Sequence, residues 1–267
     1  MASKRRRKNS YEGQSVAENA TRTLFANIRF MQPDNPLRTL TITSASPNEG
    51  KSTVVINLAR CIAHAGFSVL VVECDMRRRS LASMLGVHAP AGLYSVLTKQ
   101  TPLKDAIVDT PLPNMKFLDV EPHIPNPADI LSSHRFSELA STLKNEFQYV
   151  VYDTPPVNTF VDAAILSTLT DGTILAIRID GPKRTEVKIA YDQLCAANAN
   201  VIGACATFCE ATDSNYYYAY YDKRGNRLDA DYVAAVLSEH EKAKAGDGST
   251  QPVDAQGLKL PEVQAEQ

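Results

Sequence analysis

The chain has 267 residues, of which 44% are hydrophobic, and a formal net charge of −2. This length fits one domain of about 200 residues with flexible ends, and the apolar fraction is sufficient for a large core. The near-neutral charge excludes a general attraction to nucleic acid, and the sequence has no run of about 20 apolar residues that could span a bilayer.

The first 14 residues are predicted to form a disordered basic leader, which contains the run Lys4-Arg5-Arg6-Arg7-Lys8. Two interpretations are open: a solvated arm, or a segment attracted to anionic lipid headgroups. No apolar stretch follows, so the leader lacks the pattern of a signal peptide. A helix is then predicted from the capping box Ser15-Val16-Ala17-Glu18 to Pro33. The residues expected on its apolar face are Ala17, Ala20, Leu24, Ile28 and Met31.

Beyond Pro33, apolar runs alternate with helical patterns, which predicts an α/β fold. The strand candidates are Leu37–Thr43, Ser68–Glu73, Met115–Asp119, Tyr149–Tyr152, Gly172–Ile179 and Val201–Phe208. The helical patterns cover Ser52–Ala65, Arg135–Phe147, Val161–Leu169 and Lys183–Ala197. Near-continuous apolar strands are typical of a doubly wound, mostly parallel sheet with helices on both faces, which binds ligands at the carboxyl ends of its strands.

The composition divides the chain into a domain over residues 15–210, a tyrosine-rich segment over 211–228 and a tail over 229–267. In the tail, a short amphipathic helix over Ala230–Ala245 is predicted to precede disordered sequence. Five cysteines lack metal-ligand spacing and are predicted to be buried, reduced thiols of a cytoplasmic protein. They are Cys61, Cys74, Cys195, Cys205 and Cys209.

The segment from Ala45 to Thr53 lies between a predicted strand and a predicted helix, where a phosphate-binding loop belongs. Gly50 allows close backbone approach, Lys51 supplies a cation for the phosphates, and Ser52 supplies a hydroxyl for Mg²⁺. The helix that begins there directs its free N–H groups at the anion. The sequence therefore predicts a site for ATP or GTP. Its predicted binding residues are Ser46, Pro47, Asn48, Glu49, Gly50, Lys51, Ser52 and Thr53.

Two further strand ends carry carboxylates: Glu73 and Asp75 follow one apolar run, and Asp153 ends another. Phosphoryl transfer requires Mg²⁺, positive charge near the γ-phosphate and a carboxylate that orients or deprotonates the acceptor. We therefore predict Lys51, Glu73, Asp75 and Asp153 as catalytic residues, and Ser52, Asp75 and Asp153 as metal ligands. The alternative for each acid is an ordinary strand-end carboxylate in a turn.

Five tyrosines occur within six residues, between segments rich in loop-forming residues. They are Tyr216, Tyr217, Tyr218, Tyr220 and Tyr221. A flexible cluster of this kind could reach the active site of another subunit, and each added phosphate would bring a charge of roughly −1.5 to −2. The alternatives are an aromatic edge strand or a platform for base stacking, and the second would require interleaved basic residues that the cluster lacks.

In the order of these motifs, the chain resembles the bacterial tyrosine kinases, the P-loop autokinases of capsular and exopolysaccharide synthesis. The resemblance covers about residues 15–222 and includes Ser46 to Thr53, the acid-x-Asp-x-Arg strand end at Glu73, Asp153-Thr154-Pro155-Pro156 and the tyrosine cluster. The resemblance implies a P-loop NTPase fold in which the loop binds ATP and the three strand-end acids serve Mg²⁺ binding and catalysis. It further implies that one subunit phosphorylates the tyrosine cluster of another. It also implies self-association and, for the split form, a separate membrane-anchored activator that recruits the kinase to the inner face of the cell membrane.

Some positions differ from the family pattern. Glu73 stands in place of an Asp that is the family's usual candidate for the base receiving the tyrosine proton, and Thr207 stands in place of an Asn that reads the adenine edge. In the first helix, only Arg22 of the family's Glu-x-x-Arg-x-x-Arg pattern is in register. These differences support a second hypothesis, a weakly active or inactive ATP-binding scaffold of the polysaccharide machinery. A third hypothesis is a partitioning ATPase, but such proteins have a lysine where this chain has Ser46.

Overall fold

The computed structural model describes the backbone of residues 2–209 and the side chains of residues 17–209. Seven strands form a single sheet in the order β3-β4-β2-β5-β1-β6-β7. The strands are β1 Thr39–Ser44, β2 Val69–Glu73, β3 Ile107–Asp109, β4 Met115–Leu118, β5 Tyr149–Asp153, β6 Gly172–Arg178 and β7 Val201–Thr207. All neighbouring pairs are parallel except β3 and β4.

Nine helices are present in the described residues: α1 Ala2–Met31, α2 Lys51–His64, α3 Leu81–Leu85, α4 Leu93–Leu97, α5 Leu103–Ala106, α6 Pro127–Leu131, α7 His134–Glu146, α8 Asp162–Ser167 and α9 Arg184–Ala196. They cover both faces of the sheet. Successive residues of a strand point to opposite faces, so neighbouring residues of β2 pack in different cores. Val69 and Val71 pack in one core with α1, α2 and α3. Leu70 and Val72 pack in the other with α4, α6, α7 and α8. The predicted doubly wound α/β fold is confirmed.

The six strands predicted from the sequence are all present, with ends that differ by no more than two residues. The structure also contains β3 and the helices α3, α4, α5 and α6, which the sequence pattern did not predict. Each of these elements has five residues or fewer. That is too short for a helical or strand period to stand out, so only tertiary contacts define them.

The first helix differs from its prediction in both length and orientation. It begins at Ala2, so the prediction of a disordered leader is wrong for residues 2–14. Helix-favouring Lys, Arg, Glu and Gln dominate this stretch and no proline interrupts it. Of the predicted apolar face, Ile28 is buried and Leu24 packs against the core, whereas Ala17, Ala20 and Met31 are exposed; the buried Phe25 was not predicted. The ring of Phe25 makes edge contacts with Phe67 and Tyr149, which fix the helix against the sheet.

The predicted burial of the cysteines is correct for Cys74 and wrong for the other four. Cys61 and Cys205 are half-buried, and Cys195 and Cys209 are exposed. Cys205 lies in β7 and Cys209 just after it. Since β7 is an edge strand, their side chains are not fully covered by neighbouring elements. Within the described residues all five thiols are free, and no helix there has a stretch long and apolar enough to cross a membrane. The predicted segments over residues 211–228 and 229–267 lie outside the described residues.

Asp171, in the turn before β6, connects three elements. Its Oδ2 accepts the N–H groups of Arg38 and Thr39 at 2.9 Å, and its Oδ1 accepts the ammonium of Lys144 from α7. Partial burial alone would raise the pKa of Asp171, but these three donors outweigh it and lower the pKa. The carboxylate therefore holds the start of the central strand β1.

We predict that Asp171→Ala lowers the free energy of unfolding by about 1.5–3 kcal/mol at pH 7, because three donors lose a charged acceptor. Since the folded pKa lies below the unfolded value of about 3.9, this contribution is present above that pH and disappears as the pH falls through the folded pKa. Urea unfolding of both proteins at pH 7 and pH 3 measures it.

The matched control is Asp109→Ala, since Asp109 is 84% exposed and pairs only with half-exposed Lys116. Such a surface pair contributes about 0–1 kcal/mol. Equal losses of stability in the two variants at pH 7 would contradict a structural role for Asp171.

Candidate active site

The phosphate-binding loop connects β1 to α2 at the carboxyl edge of the sheet. Gly50 has a φ of +82°, and a Cβ at that position would lie 3.4 Å from Phe208 and Thr207. Asn48 also has a positive φ of 62°. The loop therefore turns sharply here, and both the backbone conformation and the neighbouring residues favour glycine at position 50.

Glu49 is buried and stabilises the loop through hydrogen bonds. Its carboxylate accepts the N–H groups of Ser46 and Arg178, and its carbonyl accepts the hydroxyl of Thr207 at 2.7 Å. Burial raises the pKa of Glu49, and the N–H donors partly oppose that rise. The side chain of this predicted binding residue thus contacts the protein itself. Among the other predicted loop residues, Pro47, Asn48 and Thr53 are exposed.

Ser52 and Asp153 meet where α2 begins beside β5. The hydroxyl of Ser52 lies 2.5 Å from Asp153 Oδ2, and the hydroxyl of Ser80 lies 3.1 Å from Ser52 Oγ. Asp153 is buried, and its Oδ1 has no hydrogen-bond partner among the described residues. Buried carboxylate oxygens are normally satisfied, so this one is suited to a cation or an ordered water.

The carboxylate of Glu73 is fully buried and is used within the protein. Its Oε2 accepts the N–H groups of Ser80 and Leu81 at 2.9 and 3.0 Å, and its Oε1 accepts the N–H of Asp75 at 3.2 Å. Ser80 and Leu81 form the N-terminus of α3, so Glu73 caps a helix that the sequence analysis did not predict. The extra methylene, relative to aspartate, gives the carboxylate its reach toward this helix.

Asp75 keeps a free oxygen. Its Oδ1 accepts the N–H groups of Arg77 and Arg78 at 3.3 and 2.9 Å, whereas Oδ2 has no hydrogen bond to a described residue. Burial raises the pKa of Asp75, and those N–H groups together with the charge of Lys51 oppose the rise. Asp75 is therefore the acid of the β2 end that can contact another molecule.

Burial dominates the electrostatics of this cluster. Desolvation raises the pKa of Glu73 to about 8, with a further contribution from the charge of Asp153. Desolvation also raises the pKa of Asp153 to about 7, against the hydrogen bond of Ser52 and the charge of Lys51. No group of three or more His, Cys, Asp or Glu side chains in the described region could hold a metal ion alone. A cation here thus needs ligands from a bound phosphate, as in P-loop sites.

The structure brings Lys51, Ser52, Glu73, Asp75 and Asp153 together as the sequence predicts, because β5 lies between β1 and β2. The tyrosine cluster, residues 216–221, lies outside the described residues. The sequence did not predict Arg178 and Phe208 as neighbours of the loop, and it singled out Thr207 only as a departure from the family pattern. The strand order β1-β6-β7 brings all three beside the loop. The sequence also did not predict the ion pairs of Arg77 with Asp162 and of Arg79 with Asp119.

This combination of parallel sheet, phosphate-binding loop and strand-end acids defines a P-loop nucleotide-binding domain. Residues 38–181 match the family model AAA_31, described as an AAA domain. The chain is 33% identical to tyrosine-protein kinase YwqD of Bacillus subtilis strain 168, over 80% of this chain and 90% of that protein. It is 31% identical to tyrosine-protein kinase CpsD of Streptococcus agalactiae, over 78% and 90%.

Among solved structures, the chimerical protein CapA2B2 matches with a TM-score of 0.67 and 32% identity, over 70% of this chain and 82% of that one. The chain belongs to the bacterial tyrosine-protein kinases. The resemblance and the enzyme class predicted from the sequence are confirmed.

We predict that replacing Glu73 alters how stability depends on pH in the nucleotide-free protein. Because the folded pKa of Glu73 is raised, its favourable contribution is complete below the unfolded pKa and is lost as the pH rises through about 8. Glu73→Gln keeps an acceptor for α3 but cannot ionise. The decrease in Tm of the wild type between pH 6 and pH 9, in EDTA, should therefore be smaller in the variant.

Glu138→Gln is the control, because Glu138 is exposed and pairs only with His134. It should keep the wild-type pH dependence. If Glu73→Gln showed the same slope of Tm against pH as Glu138→Gln, Glu73 would be ionised freely in the folded protein and its buried placement would be wrong.

Proposed function

We propose that this kinase uses Mg-ATP to phosphorylate its own tyrosine cluster in trans, and thereby regulates the synthesis and export of a capsular polysaccharide or exopolysaccharide. The observation that carries this proposal is the contact of half-buried Ser52 with buried Asp153, one oxygen of which has no partner among the described residues and lies near the charge of Lys51. A carboxylate and a hydroxyl in this relation to a phosphate-binding loop are suited to Mg-ATP.

The proposed nucleotide site comprises the loop from Ser46 to Thr53. Its backbone N–H groups bind phosphate oxygens, and Lys51 supplies positive charge to the β- and γ-phosphates. Ser52 and Asp153 would hold Mg²⁺ through oxygen ligands, and Asp75 lies nearby. When bound, Mg²⁺ neutralises charge on the phosphate oxygens and favours the ionised forms of the buried acids.

Asp75 is the carboxylate best placed to receive the proton of the acceptor tyrosine. The phenol O–H transfers its proton to the carboxylate, the phenol oxygen forms a bond to the γ-phosphorus, and the bond to the bridging oxygen of ATP breaks to release ADP. Glu73 stands where the family has its usual base, but three backbone N–H groups already occupy its oxygens. Asp75 has an oxygen without such a donor.

The proposed acceptors are Tyr216, Tyr217, Tyr218, Tyr220 and Tyr221. Several phosphates on this segment would repel an acidic, phosphate-bearing active site, so phosphorylation would release a neighbour's tail and weaken self-association. From the resemblance to split family members, we further propose a separate membrane-anchored activator that recruits the kinase to the inner face of the membrane.

A second candidate function is a weakly active or inactive ATP-binding scaffold. The specific observation in its favour is the use of Glu73 as a helix cap, which removes the usual base from reaction. The two functions differ in one property: the scaffold binds ATP but forms no phosphotyrosine.

We predict that incubation of the full chain with Mg-ATP and membrane-partner peptides adds a series of phosphates, which intact mass spectrometry resolves. Lys51→Met should abolish the series, because the γ-phosphate loses its cation. Lys188→Met is the matched control, since Lys188 pairs with Asp192 on the exposed face of α9. The five-fold Tyr→Phe variant should lose most of the modification.

Undiminished phosphorylation of Lys51→Met would overturn the assignment of this loop as the ATP site. Phosphates mapped to Tyr11 or Tyr232 would overturn the acceptor assignment, and ATP binding without any phosphate addition would favour the scaffold.

We predict that Asp75→Asn lowers kcat by about 100-fold or more, as expected on loss of a general base. Glu73→Gln should stay within about ten-fold of the wild type, because its side chain serves α3. Steady-state phosphorylation of an added tyrosine peptide measures both. The opposite ranking of the two variants would assign the base to Glu73.

A further inference from the structure

Three consecutive arginines follow Asp75, and two of them are held by buried carboxylates. Arg77 Nη1 donates to Asp162 Oδ2 at 2.8 Å, and its guanidinium lies 3.9 Å from the ring centroid of Phe160. Arg79 donates to both oxygens of Asp119 through Nε and Nη2. Asp162 and Asp119 are both buried, so these two arginines fix the segment on either side of Arg78.

Arg78 itself is exposed and has no carboxylate partner among the described residues. Its backbone N–H donates to Asp75 Oδ1 at 2.9 Å, and its Nη1 donates to Asn48 Oδ1 at 2.9 Å. Asn48 belongs to the phosphate-binding loop and precedes Lys51 by three residues. The guanidinium of Arg78 therefore lies over the loop, while its backbone is tied to Asp75.

The charge of the site favours a second cation. Lys51 is the single cationic residue between Ala45 and Thr53, and it faces the carboxylates of Asp75 and Asp153. ATP adds further negative charge, and phosphoryl transfer depends on positive charge around the γ-phosphoryl. The present partner of Arg78 is a neutral amide. A phosphate offers the guanidinium a charged acceptor whose geometry matches its planar fork.

We propose that Arg78 is a further catalytic residue, which exchanges the amide of Asn48 for an oxygen of the γ-phosphate when ATP binds. It supplies in cis a second protein cation, in addition to Lys51 and the proposed Mg²⁺. Arg77 and Arg79 are positioning residues that hold the segment in place. This inference rests on the proposed nucleotide site and adds a residue that contacts the terminal phosphate rather than the rest of the nucleotide.

Arg78→Gln tests the inference in the full chain, with the Kd values of Mg-ADP and of a non-hydrolysable Mg-ATP analogue measured by calorimetry. We expect the analogue to bind about ten-fold or more weakly, ADP to bind within two-fold of the wild type, and kcat to fall at least 100-fold. Arg78→Lys should restore part of kcat, since it keeps the charge but not the planar fork. The Tm of both variants should stay close to the wild-type value, because Arg78 is exposed.

Arg184→Gln, an exposed arginine at the start of α9, is the control and should change neither Kd. Equal weakening of ADP and analogue binding by Arg78→Gln would overturn the assignment to the γ-phosphate. Unchanged analogue binding and kcat would overturn the role altogether. If the wild-type chain bound neither nucleotide, the proposed function would fail, and this result is distinct from either outcome for Arg78.

Discussion

The active-site geometry depends on the position of β5, which is hydrogen-bonded in parallel between β2 and β1. In this register Asp153 pairs with Glu73 on one side and with Ile42 on the other. The phosphate-binding loop and the acids of two strands therefore meet at one edge, although they are far apart in the sequence. A buried edge with three carboxylates and one lysine is electrostatically unfavourable without a ligand, as the raised pKa values of Glu73 and Asp153 reflect. Mg-ATP would relieve that cost.

The substitution of Glu for the family's Asp at position 73 has a structural explanation. The side chain of Glu73 reaches the N-terminus of α3 and accepts its free N–H groups, so this carboxylate serves as a helix cap. Thr207 similarly contacts the loop, through the carbonyl of Glu49. Glu73 thus supports α3, and Thr207 supports the phosphate-binding loop. Of the two acids at the end of β2, Asp75 is the one that keeps an oxygen without a donor among the described residues.

The row of arginines after β2 shows how neighbouring identical residues acquire different roles. Burial of Asp162 and Asp119 without their arginines would be costly, because a buried charge needs a partner. Arg77 and Arg79 are committed to these structural pairs. Arg78 lies between them, and among the described residues its guanidinium donates to a neutral side chain, that of Asn48 in the loop. Its distinct position follows from the carboxylates around it and not from the sequence of the segment itself.

The sequence by itself determined the class of fold, because apolar runs and helical patterns of full length alternate along the chain, and it determined the loop and acid residues, because these motifs are local. It could not determine α3 or β3, which are too short to show a period, and it placed the start of α1 wrongly because a capping-box pattern can also occur inside a helix. Only the tertiary structure decided which oxygens of the acids are free and which arginine faces the loop. Those properties depend on contacts between strands and helices that are distant in the chain.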